Sequence, residues 1–180
     1  MKKRVIAGIL GGFIFLFLIL KGGILLYLAV AILIILGLME YCRLVEAVGY
    51  RVCFLAIAGL SVLHLLLRMV LSSKYPVVLS DAVGLYLLFA IFASFLQTLN
   101  KDSTPKNLFL TTGINLFGLV YPGLLFSYII LIRELPPPFG WKILLYSFLV
   151  IWGNDTGAYF IGSAICKRPL APTISPRKTR

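Results

Sequence analysis

Residues 152–180, WGNDTGAYFIGSAICKRPLAPTISPRKTR, hold the side chains best suited to chemistry in this chain. An apolar run, ILLYSFLVIW over 143–152, leads directly into Asn154 and Asp155. The chain then continues through AYFIG and breaks into a Pro-rich tail with no acidic residue. That tail carries five cations: Lys167, Arg168, Arg177, Lys178 and Arg180. A carboxylate inside an apolar span is costly in lipid and marks a site by default. Cations beside it are what a phosphate-bearing substrate requires. Ser175, Pro176, Arg177, Lys178 and Thr179 place two hydroxyls and two cations in five residues, all able to donate to phosphate oxygens. The segment is not a Walker A loop, because its glycines are missing.

Two readings of Asp155 stand at this level. In the first, a helix beginning near Trp141 runs on through it. Asp155 is then 14 residues in, about 21 Å along the axis at roughly 1.5 Å per residue. That is beyond the middle of a hydrocarbon core about 30 Å thick. In the second, the helix ends at Trp152 and Asn154 or Asp155 caps a second helix. On a continuous helix, Asp155, Tyr159 and Gly162 share one face, and an acid, a phenol and a gap can form a small polar pocket. Gly153 and Gly157 form a G-x-x-x-G, a common helix-packing spacing.

The elements that must position these groups are helices in a membrane. Hydrophobic residues make up 61% of the chain and the mean hydropathy is +1.02, well above the roughly 45–50% apolar content of soluble domains. The fold class expected is all-α: a polytopic membrane protein of six transmembrane helices with short loops. The spans are drawn at 5–20, 22–39, 52–67, 77–99, 108–132 and 143–163, followed by a cytoplasmic basic tail at 164–180. The first two are separated only by Lys21 and two glycines, so they form either a tight hairpin or one interrupted unit, and the charge pattern favours six spans. The start, MKKR before an apolar run, has the look of a signal peptide. It lacks an A-x-A-like cleavage site and reads as the first span.

Charge orients the spans. With the N-terminus inside, the inner segments hold 12 Lys and Arg and the outer segments 5, the asymmetry of the positive-inside rule. Both the N-terminus and the C-terminal tail are then cytoplasmic, and the expected location is the inner membrane of the cell. The net charge of +11 is accounted for by membrane flanks and anionic headgroups, and no nucleic-acid motif interrupts the apolar runs. Residues 100–107 and the three prolines 136–138 read as loops. His64 is the only histidine and lies one turn before Arg68; an interhelical hydrogen bond is its expected role. Cys42, Cys53 and Cys166 form no C-x-x-C and read as free thiols. Asp81 reads as a cap or interface residue, Glu40 and Glu46 as partners of Arg43 in a loop, and Tyr27 and Tyr41 as interfacial anchors.

The run Asp155-Thr156-Gly157-Ala158-Tyr159-Phe160, then Leu170-Ala171-Pro172, then Ser175-Pro176-Arg177-Lys178-Thr179 closely resembles the phosphatidate cytidylyltransferase family. The resemblance is specific over about 25 residues and loose upstream, at Arg4-Val5, Glu40-Tyr41 and Tyr121-Pro122-Gly123. It implies an enzyme that joins CTP to phosphatidate, releasing pyrophosphate and forming CDP-diacylglycerol, with Mg²⁺ or a similar divalent cation. It implies that Asp155 is a catalytic, metal-associated carboxylate and Lys178 a catalytic cation. Asn154, Tyr159, Lys167, Ser175 and Thr179 become substrate contacts. In the family, Trp-Glu-Gly and a later acidic motif typically come after Ser-Pro-x-Lys-Thr. The chain is therefore expected to correspond to the N-terminal portion of such an enzyme. Its expected partners are the lipid bilayer and a second copy or a downstream segment. Two alternatives stand beside this: a cytidylyltransferase acting on an isoprenoid lipid, and a non-catalytic assembly partner or permease.

Overall fold

The computed structural model describes residues 2–50, 52–71, 86–93, 95–96, 105–164, 169–171 and 175–179. Most of the fourth predicted span, the loop at 100–107 up to Pro105, Asp81, Cys166 and Lys167 lie outside the described residues. The chain divides into two units, Met1–Glu134 and Leu135–Arg180.

The first unit is a helical bundle. Helix α1 spans Lys2–Lys21, α2 Gly23–Ala47 and α3 Phe54–Leu71. Helical residues 86–93 are α4. Helix α5 spans Pro105–Gly118, a π-helical segment comes next at Leu119–Leu124, and α6 runs Leu125–Arg133. Proline at the first position of α5 lacks only an N–H that no helix would have used.

The turn between α1 and α2 is as tight as two glycines allow. Gly22 has φ 64° and Gly23 φ 61°, a region open to glycine at no steric cost. Arg133 closes this corner. Its Nε donates to the Ile19 carbonyl at 2.7 Å and its Nη2 to the Leu20 carbonyl at 3.3 Å. These are the orphan acceptors at the end of α1, where a cation also favours the helix dipole.

Contacts set the helix directions. Tyr27 donates to Glu134. A Cβ on Gly37 would meet Phe126 and Pro122 at 3.3 Å. Tyr41 donates to the Ile114 carbonyl at 2.6 Å. Rising numbers on α2 thus meet falling numbers on α5 and α6, so these elements are antiparallel. Ile57 lies against Gly118 and Ser61 against Gly123, so α3 runs parallel to the α5–π segment.

Tyr27 and Tyr41, read from the sequence as interfacial anchors, also bond across the bundle, to Glu134 just past α6 and to the Ile114 carbonyl on α5. Helix α2 also continues past the predicted end at 39, so Glu40, Arg43 and Glu46 are helical and not in a loop. Removing one hydroxyl in Tyr41→Phe is expected to cost about 1 kcal/mol, measured as a lower thermal midpoint in detergent. An unchanged midpoint would show that the bond contributes nothing.

The inner face of α2 is a stripe every fourth residue: Leu26, Val30, Ile34, Leu38 and Cys42 are buried, as helix periodicity dictates. The same interior holds Ser61, His64, Arg68, Asn115 and Ser127. The outer surface carries Leu10, Phe13, Phe17, Ile24, Leu28, Ile32 and Leu36. Polar groups lie among the apolar ones inside while large apolar groups cover the outside, which is not the order that water imposes. Two described helices are long and apolar enough to cross a membrane, Gly23–Ala47 and Phe109–Arg133; Gly8–Lys21 and Phe54–Val70 are shorter apolar helices.

Pro122 explains the π segment. A proline has no N–H to donate and its ring crowds the carbonyl one turn back, so an α-helix there must bend or widen. Hydroxyls take up carbonyls around it: Tyr86 donates to Leu119 at 3.4 Å and Ser127 to Leu124 at 2.6 Å.

The second unit begins with turns through the three prolines, where the Phe139 N–H donates to the Pro136 carbonyl at 3.0 Å. Helix α7 then runs Phe139–Ala164. Beyond it the chain forms an addition to the expected all-α fold. Strands β1, Pro169–Ala171, and β2, Ser175–Thr179, pair antiparallel in the segment read as a tail.

Candidate functional site

Helix α7 carries the first half of the motif. It is continuous through Asn154 and Asp155, so the reading in which the helix ends at Trp152 and one of these residues caps its successor is excluded. Asp155, Tyr159 and Gly162 fall at positions i, i+4 and i+7 and share one face.

Asn154, Asp155, Thr156 and Tyr159 are all exposed within the chain. The Gly153 and Gly157 positions are equally open, since a Cβ at either would meet nothing within 4 Å. Their spacing makes no close helix contact among the described residues. Tyr159 is held edge-on to Phe160, with ring centroids 5.7 Å apart, and Phe148 stacks with Trp152 at 6.0 Å one turn before the acid.

The second half of the motif lies on the hairpin. Pro169 pairs with Thr179 and Ala171 with Ser175, with a register shift between the two pairs. Some Cα positions of β2 lie within 8 Å of α7. Ser175, Lys178 and Thr179 are on β2, and Asn154, Asp155 and Tyr159 are on α7. Lys167 lies outside the described residues.

Among the described residues no group of three or more His, Cys, Asp or Glu side chains could hold a metal ion. Asp155 is a single exposed carboxylate. That suits the usual way of binding Mg²⁺, through one or two carboxylates with waters and substrate phosphates completing an octahedron. It does not make a protein-only cage.

Sequence reasoning missed the polar interior of the first unit. His64 was expected to hydrogen-bond across helices, but its Nε2 has no partner and its ring lies on Tyr86, with centroids 4.4 Å apart. Its spacing from Arg68 was visible; the burial of both was not.

Comparison with known proteins gives consistent results. The model of the cytidylyltransferase family matches residues 2–180. The phosphatidate cytidylyltransferase of Bacillus subtilis (strain 168) is 33% identical over 181 residues, covering 99% of this chain and 64% of the relative. Those of Staphylococcus epidermidis (strain ATCC 12228 / FDA PCI 1200) and Staphylococcus aureus (strain COL) are 32% and 31% identical over 182 residues, covering 99% of this chain and 65% of each relative. The chain thus spans just under two thirds of the length of these relatives. No solved structure matches it.

Proposed function

Because the chain belongs to the cytidylyltransferase family, we propose that it takes part in transferring a cytidylyl group from CTP to phosphatidate. A phosphate oxygen of phosphatidate forms a bond to the α-phosphorus of CTP. The bond from that phosphorus to the bridging oxygen breaks, and pyrophosphate leaves. The products are CDP-diacylglycerol and pyrophosphate.

The observation that carries this reading is the motif of residues 155–179, on a chain that the cytidylyltransferase family model matches over residues 2–180. Its two halves, an acid on α7 and a segment of hydroxyls and cations on β2, are separated by about 20 residues in the sequence. Both reactants are anions, so their approach needs fixed positive charge. Lys178 is the cation on β2 assigned to CTP phosphates, with Ser175 and Thr179 as hydroxyl donors and Lys167 as a further cation. Asn154 and Tyr159 flank the acid and contact substrate. Asp155 would hold a Mg²⁺ ion, which when bound neutralises the phosphate charge that develops during transfer.

The fatty chains of phosphatidate stay in the bilayer while CTP arrives from the cytoplasm. We place the chain in the inner membrane with six spans and both termini inside. Support comes from the charge asymmetry, from the apolar exterior of the bundle and from the opposed directions of α2 and α5–α6.

Membranes carrying this chain, given labelled CTP, phosphatidate and Mg²⁺, are expected to incorporate label into chloroform-soluble lipid with one pyrophosphate per lipid. A parallel arm supplies the part of a relative that lies outside the matched region. Absence of labelled lipid in both arms would overturn the reading.

A further inference from the structure

The buried polar groups of the first unit point to a second anion site, independent of α7 and β2. Arg68 and His64 lie one turn apart on α3 and are only 2% and 4% exposed. No acceptor reaches Nε or Nη2 of Arg68, and Nε2 of His64 has no partner. Two of the three guanidinium nitrogens are thus buried with no acceptor, and a buried donor left unsatisfied is costly, so this edge calls for an acceptor.

The two open donors of Arg68 form one edge of the guanidinium. Nε–H and Nη2–H are parallel and spaced to meet two oxygens of a single anionic group. His64 lies on the same helix face and offers a third nitrogen. Its ring lies against that of Tyr86, tilted by 37°, and the Tyr86 hydroxyl in turn donates to the Leu119 carbonyl. Arg68 is within electrostatic reach of both His64 and Tyr27. Tyr27 in turn donates to Glu134. The site thus sits at the end of the bundle where α2 begins and α6 ends. Two donors on one edge would suit a carboxylate; a third nitrogen beside them suits a group with three or more oxygens.

We propose that Arg68 and His64 bind a phosphate group in the interior of this bundle. The group is either the headgroup phosphate of a membrane lipid or free phosphate.

The test uses the full chain in maltoside micelles and phosphate-free buffer. One arm adds dioctanoyl phosphatidylglycerol, a lipid phosphate that is not the proposed substrate; the other adds inorganic phosphate. Thermal midpoint and calorimetric affinity are read in each. At least one probe is expected to raise the midpoint of the unsubstituted chain, and whichever does so identifies the source. Arg68→Gln should weaken that binding at least tenfold, and Arg68→Lys should recover only part of it, because an ammonium lacks the two-donor edge. Arg68→Met, with no probe added, should unfold at or above the midpoint of the unsubstituted chain, because it removes two buried donors that have no acceptor. Equal binding by Arg68→Gln would overturn the site. So would a chain that responds to neither probe, and so would a lower midpoint for Arg68→Met with no probe added, since Arg68 would then be paired within the protein. Neither readout involves CTP, so failure here is distinct from failure of the transfer assay.

Discussion

On the proposed function, replacing Asp155 with asparagine is expected to lower cytidylyl transfer by about 10²–10³-fold, the range seen when one preorganised electrostatic contact to a transition state is lost. Asparagine keeps the size and most of the hydrogen-bonding capacity of the side chain and removes only its charge. The residue is exposed on a continuous helix, and surface substitutions away from special features usually change stability by no more than about 0.5 kcal/mol. The thermal midpoint of Asp155→Asn should therefore stay where it was while label transfer from CTP to phosphatidate falls. If Asp155 is the metal-associated group, the residual activity should demand more Mg²⁺ for half-saturation. Transfer at the unsubstituted rate would remove Asp155 from the mechanism. A matching fall in folding would make it a structural residue.

The second large effect falls on stability. Gly123→Val should lower the thermal midpoint severely, because even the first added carbon meets Ser61: its Cβ at 3.2 Å and its Oγ closer still. Both residues are buried, and neither can move away without shifting a helix. Ser61 is held to the Ile57 carbonyl at 2.9 Å; Gly123 lies in the π segment one residue after Pro122. Overpacking of this kind typically costs about 1–3 kcal/mol, and a β-branched side chain on the backbone contact belongs at the upper end. The companion test exchanges the bulk. Gly123→Ala combined with Ser61→Gly should recover much of the midpoint lost by Gly123→Ala alone, since the added carbon then faces an open position. Absence of recovery would mean that the loss comes from the backbone of the π segment and not from its contact with α3.

These two positions also divide what could be read from the chain from what could not. The Asp155 motif was visible because its chemistry is local: an acid, a phenol and a glycine within eight residues, and two cations with two hydroxyls within five. The break at Gly22 was visible for the same reason, since two glycines after Lys21 permit a turn whatever surrounds them. The interior of the bundle was not. Gly118 and Gly123 read only as small residues for close approach. That Tyr41 meets the first and Ser61 the second depends on helix directions and axial offsets, which no single segment carries.

Hydropathy, charge and the spacing of reactive side chains were sufficient by themselves to specify helices, an apolar exterior and the motif of residues 155–179. Each of these depends on solvation or on neighbours a few residues away. The tertiary structure alone decided that α7 runs unbroken past Asp155, that the basic segment pairs into a hairpin, and that Arg68 is buried with two donors open. Those outcomes depend on which distant surfaces exclude solvent from one another. A buried guanidinium and a solvated one have the same sequence and differ only in what has packed around them.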